Sequence, residues 1–177
     1  MNVRLFVAAD LPGDVRAALA AWRPDDGALR AVDAQGLHVT LCFLGWRDEA
    51  RAEAIGAAAT ACAAPVGPLT VHAGLWLPPR RPRVLAVRLD DPKGRLAALQ
   101  QCVSDAMVGA ADYEPEARPF LPHVTVARAR RGARPARGLP GAPALGFRPR
   151  AVTLFESRTG GPAPRYVELG TVALPGG

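Results

Sequence analysis

The sequence predicts an α+β fold in which residues 1–177 form one domain of two similar lobes. Strand-like and helix-like segments alternate along the chain, with hairpin patterns among them. A His-x-Thr signature occurs twice, within "LHVTLCFLG" at 37–45 and "PHVTVARAR" at 122–130. The two histidines lie 85 residues apart, a separation that suits one copy in each lobe.

Apolar periodicity gives the order of the elements. The predicted strands are "VRLFVAADL", "HVTLCFLG", "LTVHAGLWL", "RVLAVRLD", "HVTVAR", "AVTLFES" and "YVELGTVAL", and the predicted helices are "GDVRAALAAWR", 48–63 and 92–108. Asp48 and Glu49 favour the start of the second helix because acidic side chains complement the helix dipole. Asp91 is predicted to cap the third helix, with Pro92 at its first position. The turn "PPRRP" predicts a hairpin between the third and fourth strands.

Composition narrows the class of protein. With 49% apolar and 21% charged residues, the chain is typical of soluble globular proteins, which excludes the disordered and fibrous classes. The segment "MNVRLFVAAD" lacks the apolar core and cleavage site of a signal peptide, so we expect a cytoplasmic protein. No apolar run reaches the roughly 18 residues of a membrane span, so we expect no membrane partner. Three widely spaced cysteines, Cys42, Cys62 and Cys102, are interpreted as reduced core thiols.

The charge balance suits an anionic partner. The formal net charge is +6, but every basic residue except Lys93 is arginine, a bias that a G+C-rich bacterial genome produces without functional demand. Nucleic acid is therefore only a lead at this point. The Arg-, Pro- and Gly-rich segment 128–146 is expected to be a surface loop, either a solvated one or an arm that attracts phosphate.

The duplicated signature carries the chemistry. Alternation along a strand puts His38 and Thr40 on one face, and His123 and Thr125 on the equivalent face of the second copy. Two histidines facing each other across a cleft can take a proton and give one near neutral pH, as an in-line displacement at phosphorus requires. The threonine hydroxyls can donate to phosphate oxygens. The near-identical motifs do not assign which histidine is the acid.

Arg128 is a candidate phosphate clamp because a guanidinium binds phosphate through two hydrogen bonds. Its odd offset from His123 puts it on the wrong face of a regular strand, so the strand must end or bulge after Thr125 for Arg128 to reach the cleft. The same count puts Cys42 on the cleft face, as a possible oxidation-sensitive position, and Phe43 on the core face.

A metal site is the main chemical alternative, with His38 and His123 joined by Cys42 or His72. Neither copy has the close ligand spacing of zinc motifs, so we expect neither metal nor cofactor. His72 lacks a companion threonine and is predicted to be structural or merely exposed.

These motifs resemble the two-histidine (2H) phosphoesterase superfamily, and most closely its RNA 2′,3′-cyclic phosphodiesterase branch, the LigT-like proteins also described as 2′-5′ RNA ligases. The resemblance covers about residues 4–174 and rests on "RLFVAADLP", "LHVTLCFLG", "RPFLPHVTVAR", "LFESR" and "YVELGTVAL". It implies two pseudo-symmetric lobes with antiparallel sheets around a central cleft.

The resemblance also implies metal-independent hydrolysis of a ribose 2′,3′-cyclic phosphate to a 2′-phosphate. In that mechanism His38 is the proton donor and His123 the proton acceptor, while Thr40, Thr125 and Arg128 bind the phosphate. The expected partner is RNA or a nucleotide with a cyclic phosphate end, bound by a monomer. Alternatives are reversible 2′-5′ RNA joining, cleavage of another small cyclic phosphate, and a non-catalytic module that binds RNA ends.

Overall fold

The computed structural model describes residues 1–160 and 164–176. Within them the strands are β1 (Asn2–Asp10), β2 (Leu29–Ala31), β3 (His38–Asp48), β4 (Leu69–Leu77), β5 (Val84–Asp90), β6 (His123–Ala129), β7 (Gly146–Phe147), β8 (Ala151–Arg158) and β9 (Arg165–Ala173). The helices are α1 (Gly13–Trp22), α2 (Ala52–Thr60) and α3 (Arg95–Ala111). All seven predicted strands and all three predicted helices are present, whereas β2 and β7 were not predicted because two or three residues are too few to show a period.

The strands form two antiparallel sheets, which confirms the predicted α+β class. Sheet A has the order β3-β1-β8-β9, and sheet B has the order β2-β6-β5-β4-β7. The first and last long strands thus share sheet A, so each lobe combines distant parts of the chain. The two His-x-Thr strands are in different sheets, β3 at the edge of sheet A and β6 within sheet B, as the prediction of one copy per lobe requires.

The core explains why these segments fold as they do. Leu5, Val7 and Ala9 of β1 point into the main core, while the intervening Phe6 and Ala8 form a separate cluster with Phe155 on the other face of sheet A. Helix α2 packs on β8 and β9, and α3 packs on α2 and β3. One stripe of α3 is buried at helical spacing, and it comprises Leu96, Leu99, Val103 and Met107. The second face of sheet A is thereby left for the site.

The second predicted helix begins later than expected. Strand β3 continues to Asp48, whose carboxylate accepts a hydrogen bond from the backbone N–H of Ala50. A single 3-10 turn, Glu49–Arg51, then leads into α2. Asp48 therefore caps this turn rather than the α-helix itself.

The third helix also begins later than predicted, at Arg95. Asp91 does accept hydrogen bonds from the backbone N–H groups of Arg95 and Ala97. The residue at the helix boundary is Gly94, which has φ +64°, a left-handed conformation that glycine adopts without steric cost. The chain turns at this glycine, so Pro92 lies before the helix.

Two cysteines correct the prediction of reduced thiols. Cys62, just after α2, and Cys102, in α3, form a disulfide with their Cα atoms 5.8 Å apart. The two cysteines are 40 residues apart in the sequence. They come together because α2 packs on α3, which the sequence does not show. Cys42 is free and buried.

Candidate active site

The five predicted site residues lie around one narrow crevice. His38, Thr40, His123, Thr125 and Arg128 line a space of about 20 Å³. The histidines and threonines are half-buried and Arg128 is exposed. The crevice thus brings the β3 motif of sheet A against the β6 motif of sheet B.

Backbone carbonyls hold both imidazole rings. Nδ1–H of His38 donates to the carbonyl of Gly36 at 2.8 Å, and Nδ1–H of His123 donates to the carbonyl of Leu121 at 2.7 Å. A carbonyl oxygen can only accept, so Nδ1 carries the hydrogen in each ring. Nε2 is then the nitrogen left to exchange a proton. In His38, Nε2 is 3.0 Å from the hydroxyl of Thr40.

Aromatic rings enclose His38. Its ring stacks on Phe6, with ring centroids 4.8 Å apart, and meets the edge of Tyr166 at 5.5 Å. Phe155 extends this cluster behind Phe6. Gly36 fits beside Tyr166 because it has no side chain, since a Cβ there would lie 3.3 Å from the tyrosine ring. The imidazole is therefore fixed by rings as well as by its hydrogen bond.

This environment disfavours the charged form of His38. The pKa of His38 is lowered to about 4, chiefly by burial and in part by the positive charges of Arg128 and Arg16, against the opposing effect of the Gly36 hydrogen bond. The ring is consequently neutral near pH 7 when no anion is bound beside it. An anion bound beside it would raise its pKa, because the anion offsets the arginine charges.

A β-bulge brings Arg128 to the crevice, as the sequence required. Ala86 of β5 pairs with Thr125 and the next residue back, Leu85, pairs with Ala127, so Val126 has no partner in this register. The extra residue reverses the alternation after Thr125. Arg128 therefore shares the face of His123 and Thr125, which explains its presence in the crevice.

Bulges in β3 overturn the expected orientations of Cys42 and Phe43. Ala8 pairs with Thr40 and Val7 pairs with Cys42, which leaves Leu41 as an extra residue. Cys42 therefore turns into the core with 2% exposure, and Phe43 turns out with 45% exposure. Burial raises the pKa of the Cys42 thiol to about 11, so it is not the oxidation-sensitive cleft residue we expected. Phe43 instead lies under the Arg4 guanidinium, 4.7 Å from its ring centroid.

Two larger cavities flank the crevice. One of about 870 Å³ is lined by Arg16, Arg30 and Arg128 together with Tyr166. The other, of about 390 Å³, is lined by Arg4, Phe43 and again Arg30, Arg128 and Tyr166, next to His38. Sequence reasoning missed Phe6, Arg16, Arg30 and Tyr166, because only the tertiary fold brings them to the motifs.

The alternative of a metal site needs Cys42 or His72 as a ligand beside the two crevice histidines, and neither residue lies in the crevice. Cys42 is in the core, and His72 is an exposed residue of β4 whose Nδ1 is 2.9 Å from a carboxylate oxygen of Asp90. Residues 1–160 and 164–176 contain no group of three or more His, Cys, Asp or Glu side chains placed to hold a metal ion. The prediction that His72 is structural or merely exposed agrees with its position.

The Arg-rich loop packs on sheet B. Arg137 donates hydrogen bonds to the carbonyls of Pro79 and Arg80 in the turn between β4 and β5, and Arg130 donates to the carbonyl of Gly27. Of residues 128–146, Arg128 alone lines the crevice or its two flanking cavities. The structure therefore favours the surface-loop interpretation over the phosphate-attracting arm.

Fold and site together define a class: a two-sheet α+β protein with one His-x-Thr motif on each sheet, facing a common crevice. Residues 11–161 match the family model of the 2′-5′ RNA ligase superfamily. The chain belongs to this superfamily. It is 34% identical over 131 residues to the RNA 2′,3′-cyclic phosphodiesterase of Escherichia coli K12, a match that covers 71% of each chain.

Solved structures support the same placement. The chain resembles E. coli LigT complexed with 3′-AMP, with a TM-score of 0.81, 30% identity and 99% of both chains covered. It also resembles the protein TT0787 of Thermus thermophilus, with a TM-score of 0.80, 26% identity and 98% of both chains covered. In the described part of this chain, no helix is long and apolar enough to span a membrane.

Proposed function

We propose that this protein is a metal-independent RNA 2′,3′-cyclic phosphodiesterase, a phosphoric diester hydrolase that produces a 2′-phosphate. The observation that carries the proposal is the pair of facing His-x-Thr motifs, each with its imidazole fixed through Nδ1. The likeness to the phosphodiesterase of E. coli supports the choice of substrate. The two imidazoles can carry out the proton transfers without a resident metal or cofactor.

The proposed reaction is an in-line displacement at phosphorus. Nε2 of His123 accepts a proton from water as the water oxygen bonds to phosphorus. The bond from phosphorus to the 3′ oxygen breaks, and that oxygen takes the proton of Nε2–H of His38. Thr40, Thr125 and Arg128 bind the non-bridging oxygens, where hydrogen bonds from charged and hydroxyl donors stabilise the developing charge.

His38 must gain a proton before it can act as the donor. The pKa of about 4 leaves it neutral at pH 7 before the substrate binds. The anionic substrate supplies the missing stabilisation of the charged ring, so protonation of His38 and substrate binding are coupled. The donor role of His38 rests on its resemblance to the family pattern, and the coupling explains how a residue with this pKa performs it.

The partner is the 2′,3′-cyclic phosphate end of an RNA or nucleotide, acted on by a monomer in the cytoplasm. Joining of RNA ends through a 2′-5′ bond is the second candidate, favoured by the description of the matching superfamily. If an alcohol attacks phosphorus in place of water, the reaction needs the same two proton transfers. Both reactions therefore use one site.

The test is incubation of a cyclic mononucleotide and of a short RNA ending in a 2′,3′-cyclic phosphate, with excess EDTA, followed by separation of the 2′- and 3′-phosphate products. We expect the 2′-phosphate alone. Adding an RNA with a free 5′-hydroxyl tests joining, which would appear as a longer product. Loss of turnover in EDTA with recovery on adding metal would contradict the metal-independent mechanism.

The assignment of acid and base has its own test. A cyclic substrate with sulfur in place of the 3′ bridging oxygen has a leaving group that needs no proton. It should restore activity to His38→Ala and not to His123→Ala. The reverse pattern would exchange the two roles.

A further inference from the structure

Arg16, in the first turn of α1, has fewer partners than its burial requires. Its side chain is 19% exposed, and its Nε is buried without a hydrogen-bond partner among the described residues. The remaining contacts are long, 3.4 Å to the Gln35 side-chain oxygen and 3.9 Å to a carboxylate oxygen of Asp10. That Asp10 oxygen also lacks a hydrogen-bond partner in this part of the structure. Buried charges left this loosely paired are costly, so a further partner is expected.

The position of Arg16 indicates what this partner is. Arg16 lines the cavity of about 870 Å³ that continues from the crevice, and its charge is near enough to lower the pKa of His38. The volume is within the range of about 300–1,000 Å³ that small-molecule sites occupy. A ligand attached to the phosphate in the crevice would therefore extend into this cavity.

The charge of the cavity favours an anion. Arg30 and Arg128 are directly opposite each other on β2 and β6, and both line the cavity with Arg16. An anion in the cavity is attracted by both guanidinium groups. Five arginines line the cavity against two acidic residues, Asp33 and Glu168. The cavity is thus a positively charged extension of the site.

We propose that Arg16 is the centre of a second phosphate subsite, which binds the phosphodiester on the 5′ side of the terminal nucleotide. The preferred substrate is then an RNA chain end rather than a cyclic mononucleotide. This inference rests on the proposed function for its substrate, and it assigns the direction in which the RNA leaves the crevice. Arg128 takes the reacting phosphate and Arg16 the next one.

The experiment compares kcat/KM for a cyclic mononucleotide and for a dinucleotide with the same cyclic end, in wild type, Arg16→Gln and Arg16→Lys. We expect the wild type to prefer the dinucleotide about tenfold, as one charge-assisted contact allows. Arg16→Gln should reduce this ratio about fivefold or more, and Arg16→Lys should restore part of it. The ratio is the correct measure because any effect of Arg16 on His38 acts on both substrates alike.

Arg81→Gln is the matched control, because Arg81 is an exposed arginine in the turn between β4 and β5 and does not line the cavity. The ratio should stay at the wild-type value. Salt gives a second readout: the wild-type dinucleotide should have a steeper dependence of kcat/KM on salt, by about 0.7 in the logarithmic slope for one more phosphate contact. Arg16→Gln should remove the difference.

A folded Arg16→Gln protein with the wild-type ratio would overturn the subsite. If the wild type hydrolyses neither substrate, the proposed function fails, and calorimetric binding of a mononucleotide 3′-phosphate and a dinucleotide 3′-phosphate tests the subsite independently. The subsite then predicts that Arg16→Gln weakens dinucleotide binding more than mononucleotide binding. Equal effects on both ligands would contradict it.

Discussion

His38 and His123 form the same hydrogen bond, each donating Nδ1–H to the backbone carbonyl two residues earlier in the chain. The two strands belong to different sheets, and the two motifs nevertheless match in the orientation of their imidazole rings as well as in sequence. It leaves Nε2 of each ring for proton exchange. The difference between the two histidines comes from their surroundings, because the aromatic rings of Phe6 and Tyr166 pack on His38.

The pKa of His38 is the first prediction. In an NMR titration of the ligand-free protein, His38 should titrate near pH 4, because burial disfavours its charged form. Arg128→Gln should raise this pKa, since the Arg128 charge is the largest of the nearby charges that lower it. Saturating inorganic phosphate should raise it too. An ordinary histidine value of about 6.5 in the free protein would contradict the enclosed site.

The pH dependence of kcat/KM follows from the same shift. The site requires one histidine neutral and one charged, so the profile should be bell-shaped. The acidic limb of such a profile lies at the lower of the two pKa values, so the His38 pKa of about 4 places it no higher than about pH 4. The acidic limb of kcat should lie at higher pH, since bound phosphate favours the charged ring. Limbs at the same pH in both profiles would show that substrate binding and His38 protonation are not coupled.

Arg128 should contribute to catalysis by binding the substrate phosphate. Arg128→Gln should lower kcat/KM about 10- to 100-fold, as expected for loss of charge-assisted hydrogen bonds worth about 1.5–3 kcal/mol. Arg130→Gln is the control two residues later, where the side chain bonds to the Gly27 carbonyl and lines neither the crevice nor its two flanking cavities. A wild-type kcat/KM for Arg128→Gln would remove this residue from the site and make the bulge at Val126 irrelevant to function.

Tyr166 should position His38. Tyr166→Ala opens the enclosure around the imidazole, so the pKa of His38 should rise toward its ordinary value and kcat should fall about tenfold, a loss comparable to one aromatic contact. Tyr166→Phe keeps the ring and should keep both quantities near wild type. If Tyr166→Ala lowers kcat without moving the pKa, the ring does not act through the solvation of His38.

The sequence was sufficient to predict where the repeated motifs lie in the structure. Alternation correctly placed His38 with Thr40 and His123 with Thr125, and the odd offset of Arg128 correctly demanded a bulge. The same alternation failed at Cys42 and Phe43, because a bulge at Leu41 leaves no signal in an apolar run where every residue suits either face. Pairing in β1 decides the register there, and that pairing is set by the fold.

The other residues of the site come together only in the tertiary structure. Tyr166 comes from β9, Phe6 from β1 and Arg16 from α1, and only the strand order of sheet A and the packing of α1 bring them to His38. The sequence around each of these residues does not indicate this role, since each segment has the pattern of an ordinary strand or helix. The disulfide between Cys62 and Cys102 was hidden for the same reason.

The most direct measurement is the hydrolysis rate of an RNA with a 2′,3′-cyclic phosphate end, in EDTA, for wild type, His38→Ala, His123→Ala and the control His72→Ala. Each crevice substitution should lower kcat by about 10²–10⁴-fold, because each removes one proton transfer. His72→Ala should leave the rate unchanged, since His72 of β4 pairs with Asp90 of β5, outside the crevice. Wild-type rates in folded His38→Ala or His123→Ala protein would contradict the two-histidine mechanism.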